Sequence, residues 1–426
     1  MSANSGRTPL SWAAGAGHAE VVMLMLGREG VDINKVDRHG RTPFSWAAGK
    51  GRDEVVRLLL GQEGVDPNAA DTDGRTPLLS AVMSRRGGVV KLLLGCQSVN
   101  PNAIGIVGRT PLFWAAWNRD DRVVKLLLER EDIAPDIQDR YGQTPLAIAS
   151  ECGHDGTVQL LLRCQNVNPN VTDSVGRTPL SLAVARGNSG VVKLLLRRED
   201  VDPNITDNLG QTPLMWAVEI RDDLNQELLL EREDIVLDTS DNNGQTPLAS
   251  ATSYGRPGVV QLLLRCQNVN PNMTDSFGRT PLSRAVMSGN DEVVQLLLSF
   301  GDVDPNITDK DGRTPLMWAA EHGRDRAIRL LLEREDVNPN LVNHSGDTPL
   351  LRAARLGRDR VVELLLSCQN VDPNITDKLG RTPISWAVTS GNYEVVQLLL
   401  GLEAVDTNIA VAEHRFRWLS APGTSE

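Results

Sequence analysis

Serine, histidine and cysteine are the residues of this chain that could act as nucleophiles, general bases or metal ligands. None of the six histidines belongs to a His-Glu-x-x-His motif, and no Cys-x-x-Cys pair or phosphate-cradling loop with a following Lys-Ser/Thr occurs. Serine recurs at one position of a repeating segment, which indicates a structural role: Ser11, Ser45, Ser181, Ser283 and Ser385. The sequence therefore predicts no enzyme activity, no catalytic residue, no cofactor and no metal site.

The cysteines follow the same repeating pattern. Four of the five lie two residues after a Leu-Leu-Leu run, at Cys96, Cys164, Cys266 and Cys368, and Cys152 stands apart. Stacked helix pairs lie about 10 Å apart, so these four would be separated by roughly 20 to 30 Å, well beyond the ~7 Å Cα limit of a disulfide. We expect free thiols.

Asn-x-Thr triplets, nominal glycosylation acceptors, also recur in phase. Because no secretion signal precedes them, we interpret them as asparagines that hydrogen-bond locally within a turn. They begin at Asn170, Asn204, Asn272, Asn306 and Asn374.

These recurrences follow a repeat of 34 residues that opens on glycine. The register has no insertion or deletion across twelve copies: Gly6, Gly40, Gly74, Gly108, Gly142, Gly176, Gly210, Gly244, Gly278, Gly312, Gly346 and Gly380. A fixed period in this range is typical of a solenoid. We predict a short leader (1–5), twelve repeats in one continuous stack (6–413) and a degenerate capping tail (414–426) in which Phe416, Trp418 and Leu419 pack over the last repeat.

Each repeat reads as two helices and a finger. Thr8-Pro9 provides an N-cap oxygen and a fixed first-turn angle, and an invariant alanine follows at the position of Ala13. Glycine stops the first helix in nine copies, whereas the other three have arginine there. A Val-Val-x-Leu-Leu-Leu helix comes next, and a turn with proline, as at Pro305, projects as a hairpin-like finger in nine copies. The three arginines are Arg85, Arg119 and Arg221.

These motifs resemble the ankyrin repeat family: Gly-x-Thr-Pro-Leu, Ala-Ala-x-x-Gly, Val-Val-x-Leu-Leu-Leu and Val-Asn-x-Asn, over essentially the whole chain. The resemblance implies an all-α solenoid of about 12 helix-turn-helix repeats. Two features depart from the family pattern: the usual histidine after Thr-Pro-Leu is absent, and the period is 34 instead of 33. In these respects the chain is similar to the long arrays of filamentous fungi, where such repeats often follow a nucleotide-binding oligomerisation module.

Composition limits the partners. A formal net charge of -11 and a pI near 5.2 argue against binding to nucleic acid. No run of eighteen apolar residues and no signal peptide occurs, so we expect no membrane insertion and an intracellular, cytoplasmic protein, with the nucleus also open.

Repeat seven departs from its neighbours, because Asn225 and Gln226 replace the valine pair. An unpaired buried amide costs on the order of 1 to 3 kcal/mol. Either this repeat is a hinge, with the fastest hydrogen exchange between Asp222 and Asp238, or both side chains turn to solvent.

Two further ladders have structural explanations. Tryptophans at one helix position read as packing residues: Trp12, Trp46, Trp114, Trp216, Trp318 and Trp386. Arginines after the opening glycine read as ion-pair partners of acidic residues in neighbouring repeats: Arg7, Arg41, Arg75, Arg109, Arg177, Arg279, Arg313 and Arg381.

Residues that vary against this constant frame are the candidate binding positions. In the family that the chain resembles, partners meet the concave face formed by finger tips and first-helix ends, and these positions turn apolar or aromatic in copies four to nine. The candidates are Ile106, Val107, Trp117, Tyr141, Val175, Leu209, Ile220, Tyr254 and Phe277. Exposed aromatics on one face are typical of protein interfaces, although they could instead cover adjacent fingers.

We therefore predict a non-catalytic scaffold or adaptor that binds another protein on its concave face, with no small-molecule ligand. The alternative is a ligand-sensing fragment of a larger nucleotide-binding receptor.

Overall fold

The computed structural model describes residues 5–407, and within that range it contains helices and turns but no strand. The chain divides into two compact units, of which unit 1 ends at Ile235 and unit 2 begins at Val236. Most of the predicted leader and the predicted tail, with Phe416, Trp418 and Leu419, lie outside the described residues. A single continuous stack over 6–413 stays a prediction.

Unit 1 holds seven helix pairs, one for each of the first seven repeats. The helices are α1 (Pro9–Ala16), α2 (Ala19–Leu26), α3 (Pro43–Lys50), α4 (Asp53–Leu60), α5 (Pro77–Met83), α6 (Gly87–Leu94), α7 (Pro111–Trp117), α8 (Asp121–Leu128), α9 (Pro145–Glu151), α10 (Asp155–Leu162), α11 (Pro179–Ala185), α12 (Ser189–Leu196), α13 (Pro213–Ile220) and α14 (Asp223–Leu230). A short 3₁₀ turn spans Ile106–Gly108.

Unit 2 holds the next five pairs. They are α15 (Pro247–Ser253), α16 (Pro257–Leu264), α17 (Pro281–Ser288), α18 (Asp291–Leu298), α19 (Pro315–His322), α20 (Asp325–Leu332), α21 (Pro349–Arg355), α22 (Asp359–Leu366), α23 (Pro383–Thr389) and α24 (Tyr393–Leu400). The predicted all-helical architecture of twelve helix-turn-helix repeats is confirmed over the described residues.

The first helix of every repeat begins as the Thr-Pro pair predicts. In repeat two, the Thr42 side chain accepts a hydrogen bond from the Ser45 amide, and Pro43 occupies the first helical position. The serine that recurs here adds a second contact, since its hydroxyl lies 3.0 Å from the Thr42 hydroxyl. The repeated serine is therefore part of the cap.

A left-handed residue ends the first helix, whether or not it is glycine. Gly51 has φ 71°, and the three arginines in phase with it adopt the same region, with φ 56° at Arg85, 54° at Arg119 and 67° at Arg221. A left-handed side chain costs of the order of 1 kcal/mol more than glycine. The geometry of the turn into the second helix therefore overrides the local preference of these three residues.

Within each unit, first helices pack on first helices and second helices on second helices of the next repeat. The invariant alanine makes this close approach possible, because Ala47 and its counterparts are fully buried. The valine pair of the second helix is buried too, as at Val55 and Val56. Repeat one differs: Val21 is 42% exposed and Leu24 74% exposed, because no described residue covers that face.

Repeat seven buries the amides that replace the valine pair. Asn225 and Gln226 are both fully buried, so the expectation that they turn to solvent is wrong. Their nitrogens are paired, with Asp222 Oδ2 at 2.7 Å and the Ala217 carbonyl at 2.8 Å, but both amide oxygens are buried without a partner. Their packing between neighbouring helices holds them inside, and the boundary of the two units follows within the next ten residues.

Asparagines link the fingers of successive repeats. The Asn68 amide group donates to the Ser98 carbonyl 30 residues later and accepts from the Asn100 amide 32 residues later. Asn170 donates in the same way to the carbonyl of Asp200, so this side chain bridges repeats. The interpretation of the Asn-x-Thr residues as purely local turn formers is therefore wrong, although the Asn170 backbone amide also donates a local hydrogen bond to Asn168 Oδ1.

Arginines clamp the preceding second helix in four repeats. Arg130 donates to the Leu94 carbonyl at 3.1 Å and is held by Asp132, whose hydrogen bond raises the pKa of the guanidinium. The other clamps are Arg198, Arg232 and Arg334. Cys96, Cys164, Cys266 and Cys368 occupy this same position in other repeats, and all five cysteines are free thiols, as expected.

Candidate partner-binding surface

An aspartate seals the finger tip that precedes the first helix of repeat two, and each tip takes the number of the repeat whose first helix follows it. Asp37 Oδ1 accepts from the amides of His39 at 2.8 Å and Arg41 at 3.0 Å, and Oδ2 accepts from Arg41 Nε and from Trp46 Nε1, both at 3.1 Å. Burial by itself would raise the pKa of Asp37, but these hydrogen bonds outweigh it and hold the pKa below its usual value. We call this arrangement a sealed tip.

The sealed tip recurs in both units. The two amide bonds to one Oδ1 atom are present at Asp71, Asp139, Asp173, Asp207, Asp241, Asp275, Asp309, Asn343 and Asp377. The indole bond recurs at Trp216, Trp318 and Trp386. These tryptophans are held in the fold, as expected for packing residues, and the arginine ladder is paired as expected, mainly with the aspartate four residues earlier.

Repeat four lacks the seal, because Gly105 stands where the aspartate is expected. Without a side-chain acceptor for its amides, the tip rearranges into the 3₁₀ turn Ile106–Gly108, and Val107 takes a left-handed conformation with φ 69° and ψ 12°. A β-branched residue in this region is strained by about 1 to 3 kcal/mol. We call this arrangement the open tip.

The side chains that a sealed tip would hold are redirected in repeat four. Arg109 Nε pairs with Asp139 of the following tip at 3.0 Å, which is possible because Gln143 leaves Asp139 Oδ2 free. Trp114 stacks on Trp117, with ring centroids 5.3 Å apart and planes 5° apart. The Arg109 guanidinium lies 4.4 Å from the Trp117 ring centroid and 4.7 Å from that of Phe113. An aromatic cluster around one arginine results.

Backbone hydrogen bonds place four candidate residues of unit 1 in one row. Each tip is tied to the next: the Arg140 amide donates to Val107 O, the Ser174 amide to Tyr141 O and the Asn208 amide to Val175 O, at 2.8 to 2.9 Å. The row contains Val107, Tyr141, Val175 and Leu209. The last three are 44 to 58% exposed, whereas the same position in repeats one to three is polar, with Ser5, His39 and Asp73. We call this set the tip row.

Other candidates lie at different distances from the tip row. Ile106 is 44% exposed beside it and Trp117 is 38% exposed in the aromatic cluster, while Ile220 is half-buried at the end of α13. In unit 2, Tyr254 is 45% and Phe277 60% exposed, so Phe277 projects from its finger. All nine candidates stay predictions as binding residues.

Sequence reasoning missed three parts of this surface: Gly105, the 58% exposed Ile104 and the redirected Trp114. Trp114 was assigned to packing with the other tryptophans, yet its indole N–H has no acceptor in the described part of the chain. The signal was available, because glycine interrupts a column of aspartates at one copy. Its meaning depended on knowing that the aspartate binds the tryptophan nine residues later.

The described residues contain no cluster of side chains that could hold a metal ion. Between residues 5 and 407, no three His, Cys, Asp or Glu side chains come together as a possible metal site. Burial raises the pKa of the Cys152 and Cys266 thiols, which makes them poorer nucleophiles at neutral pH. An open cleft lined by Arg41, Trp46 and Arg75 has a volume of about 210 Å³.

A family model described as ankyrin repeats (3 copies) matches almost the entire chain. The matched segments are residues 1–71, 29–104, 63–139, 88–173, 131–207, 180–275, 259–341 and 335–410. The chain belongs to the ankyrin repeat family. Such repeats are generally protein–protein interaction modules and are typically non-enzymatic.

Two solved ankyrin repeat structures are similar to parts of the chain. The ankyrin repeat domain of Bcl-3, a unique member of the IkappaB protein family, is 29% identical and covers 53% of this chain and 99% of its own, with a TM-score of 0.48. The ankyrin repeat protein EF0377 is 27% identical and covers 44% and 96%, with a TM-score of 0.42. No curated protein sequence matches the chain. Across residues 5–407, none of the helices is long and apolar enough to cross a bilayer.

Proposed function

We propose that this ankyrin repeat protein is a non-catalytic scaffold or adaptor, and that a partner protein binds unit 1 along the tip row and the aromatic cluster of repeat four. The observation that carries the proposal is the change from polar tip residues in repeats one to three to apolar ones in repeats four to seven, on tips that backbone hydrogen bonds join from repeat four to repeat seven. Apolar tips contribute nothing to that bonding, so their side chains are free to serve another purpose.

The physical properties of this surface favour protein binding. Interfaces are enriched in Trp, Tyr and Arg, and a few such residues carry most of the binding free energy. Trp117, Tyr141 and Arg109 bring these types together on adjacent repeats. The fingers are linked by hydrogen bonds before a partner arrives, so little conformational entropy is lost on binding.

The test is a capture experiment with the full chain and a double variant. Trp117→Ala with Tyr141→Ala removes two exposed rings, and we expect partner affinity to fall by at least about tenfold, since hot-spot truncations exceed ~1.4 kcal/mol. Quantitative mass spectrometry of captured proteins finds the partner, and titration with that purified partner gives the affinity.

Tyr393→Ala is the matched control. Tyr393 is 66% exposed at the start of α24 in unit 2, so its loss removes an exposed ring that is not part of the proposed surface. We expect this variant to retain its partner and the double variant to keep its far-UV circular dichroism. Equal retention of every partner by the double variant and the native chain would contradict the proposal.

A further inference from the structure

We infer that the open tip of repeat four binds a carboxylate group of the partner protein, with an apolar side chain of the partner beside it on the aromatic cluster. This inference rests on the proposed function and specifies the chemistry that the surface recognises. It starts from what sealed tips bind internally and what repeat four leaves unbound.

Sealed tips show which group the repeated arginine and tryptophan side chains bind. In repeat two, the Arg41 guanidinium and the Trp46 indole both donate to one oxygen, Asp37 Oδ2. Repeat twelve repeats the geometry, since Arg381 Nε and Trp386 Nε1 each lie 3.0 Å from Asp377 Oδ2. Arginine at the start of a first helix and tryptophan five residues later therefore form a carboxylate receptor.

Repeat four has the same two donors but no carboxylate of its own. Trp114 Nε1 makes no hydrogen bond within residues 5–407, and Arg109 uses only Nε, so both of its terminal amino groups are without an acceptor in that range. Asp139 replaces the missing group only in part, because its Oδ2 accepts from Arg109 Nε but not from Trp114 Nε1. The unused donors are those that an incoming carboxylate needs.

Three exposed arginines lie on repeats three to five near the open tip, in a chain that is acidic as a whole. Arg85 and Arg119 are exposed at the ends of the first helices of repeats three and four, and Arg85 reaches the Asn118 carbonyl of repeat four at 3.2 Å. Arg140 is exposed at the next tip. These charges lower the free energy of an approaching anion, against a formal net charge of -11 for the whole chain.

The exposed apolar groups around the open tip indicate which kind of side chain lies beside the bound carboxylate. Trp117 is 38% exposed next to Trp114, and Ile104 and Ile106 expose 58% and 44% of their surface on the same repeat. A free anion would leave these apolar groups in water, whereas an apolar residue adjacent to the acidic one would cover them. The occupant is therefore an acidic-apolar segment of a protein.

Two capped peptides test the assignment: acetyl-Leu-Phe-Glu-Leu-amide and its Gln counterpart, titrated into the full chain. The eight tryptophan indole N–H signals are recorded by NMR, and Trp114→Phe assigns that of Trp114. We expect the Glu peptide to shift the Trp114 signal and to bind at least about tenfold more tightly than the Gln peptide, because hydrogen bonds to charged groups are the strong ones. Equal affinities, or no shift of the Trp114 signal, would overturn the inference.

Gly105→Asp provides the sharper variant, since it restores an internal carboxylate. A Cβ atom there would lie 2.4 Å from Cδ2 of the buried Leu79, so this side chain has to shift to admit the aspartate. We expect the Glu peptide to bind this variant no better than the Gln peptide does. The control is Gly87→Asp, which adds the same charge in open space at the start of α6 and should leave the Glu preference intact.

The two proposals fail separately. If the ring double variant loses its partner while the Glu and Gln peptides bind alike, the scaffold function stands and the carboxylate assignment is wrong. If Gly105→Asp retains the Glu preference with unchanged circular dichroism, the carboxylate assignment is also wrong.

Discussion

The finger tips of repeats two and four start from nearly the same residues and reach different structures. Both have arginine after the opening glycine and tryptophan five residues later, and they differ at the acceptor, which is Asp37 in one and Gly105 in the other. In repeat two the carboxylate consumes four donors. In repeat four, Arg109 pairs with Asp139 of the next tip, and Trp114 stacks on Trp117 while its indole N–H has no acceptor among the described residues. Without this carboxylate, the arginine and tryptophan side chains that stabilise the fold in repeat two are available to bind a partner in repeat four.

The difference also has an energetic side. Hydrogen bonds to a buried charge contribute about 1.5 to 3 kcal/mol each to stability, and repeat four forgoes them while keeping Val107 in a strained conformation. Its neighbours compensate, since Arg109 gains Asp139 and the Trp114 ring gains Trp117. Val107 is the one non-glycine residue at positive φ among the described tips, and this strain beside donors that lack a carboxylate of their own points to function.

The largest effect is expected from opening the sealed tip. Asp37→Ala removes a carboxylate that is 5% exposed and leaves its donors unsatisfied, so the free energy of unfolding should fall by about 3 kcal/mol. Urea unfolding followed by tryptophan fluorescence measures it. Asp73→Ala is the control, because this side chain is 46% exposed and its pair with Arg75 is worth at most about 1 kcal/mol. Similar losses for the two variants would remove the distinction between sealed and exposed tip carboxylates.

Lowering the pH should affect the tips of repeats two and four differently in the native chain. The folded-state pKa of Asp37 lies below the ordinary 3.8, so its stabilising effect is complete above that value and is lost as the pH falls through the lower folded value. We expect the His39 and Arg41 amides to lose up to about tenfold in hydrogen-exchange protection for each pH unit between 3.8 and the lower folded pKa, and to lose no more below it. The Val107 and Arg109 amides, with no tip carboxylate, should change little. An equal loss of hydrogen-exchange protection at both tips would show that protonation of Asp37 is not the cause.

The smallest effect concerns the strained valine. Val107→Gly relieves a positive φ, and we expect a gain of about 0.5 kcal/mol after the entropic disadvantage of glycine is included. Val175→Gly, at the same position of a sealed tip without a positive φ, should instead lose about 0.5 to 1 kcal/mol. Thermal unfolding of both variants gives the sign of each change. A loss at Val107 equal to that at Val175 would mean that the open tip stores no strain.

The sequence predicts the fold of the repeats well because each signal is local and appears twelve times. Thr-Pro begins each first helix and a left-handed residue ends it, even where Arg85 or Arg119 replaces glycine. Ankyrin repeats follow from motif and spacing. The candidate surface is only partly predicted: Tyr141, Val175 and Leu209 stand out as apolar residues at finger tips, and the structure shows them exposed in one row.

What sequence reasoning could not supply are contacts between residues that pattern analysis treats separately. The bond from Trp46 to Asp37 spans nine residues, so the meaning of Gly105 for Trp114 was hidden. Asn225 and Gln226 show a second case, since their polarity left both burial and exposure open, while the structure buries both side chains. Polarity is a property of the single residue, whereas burial depends on how that residue packs against the adjacent repeat.

The asparagine bonds between fingers have a consequence for how such a chain changes in length. Each rung joins residues 30 and 32 positions apart, as from Asn68 to Ser98 and Asn100. Adding one residue within a repeat would misalign both bonds of its rung, whereas loss or duplication of a whole 34-residue block would present the next finger with the same partners. Whole repeats are therefore the smallest unit that this chain can gain or lose without rebuilding an interface, and twelve copies without a single shift in register are the result.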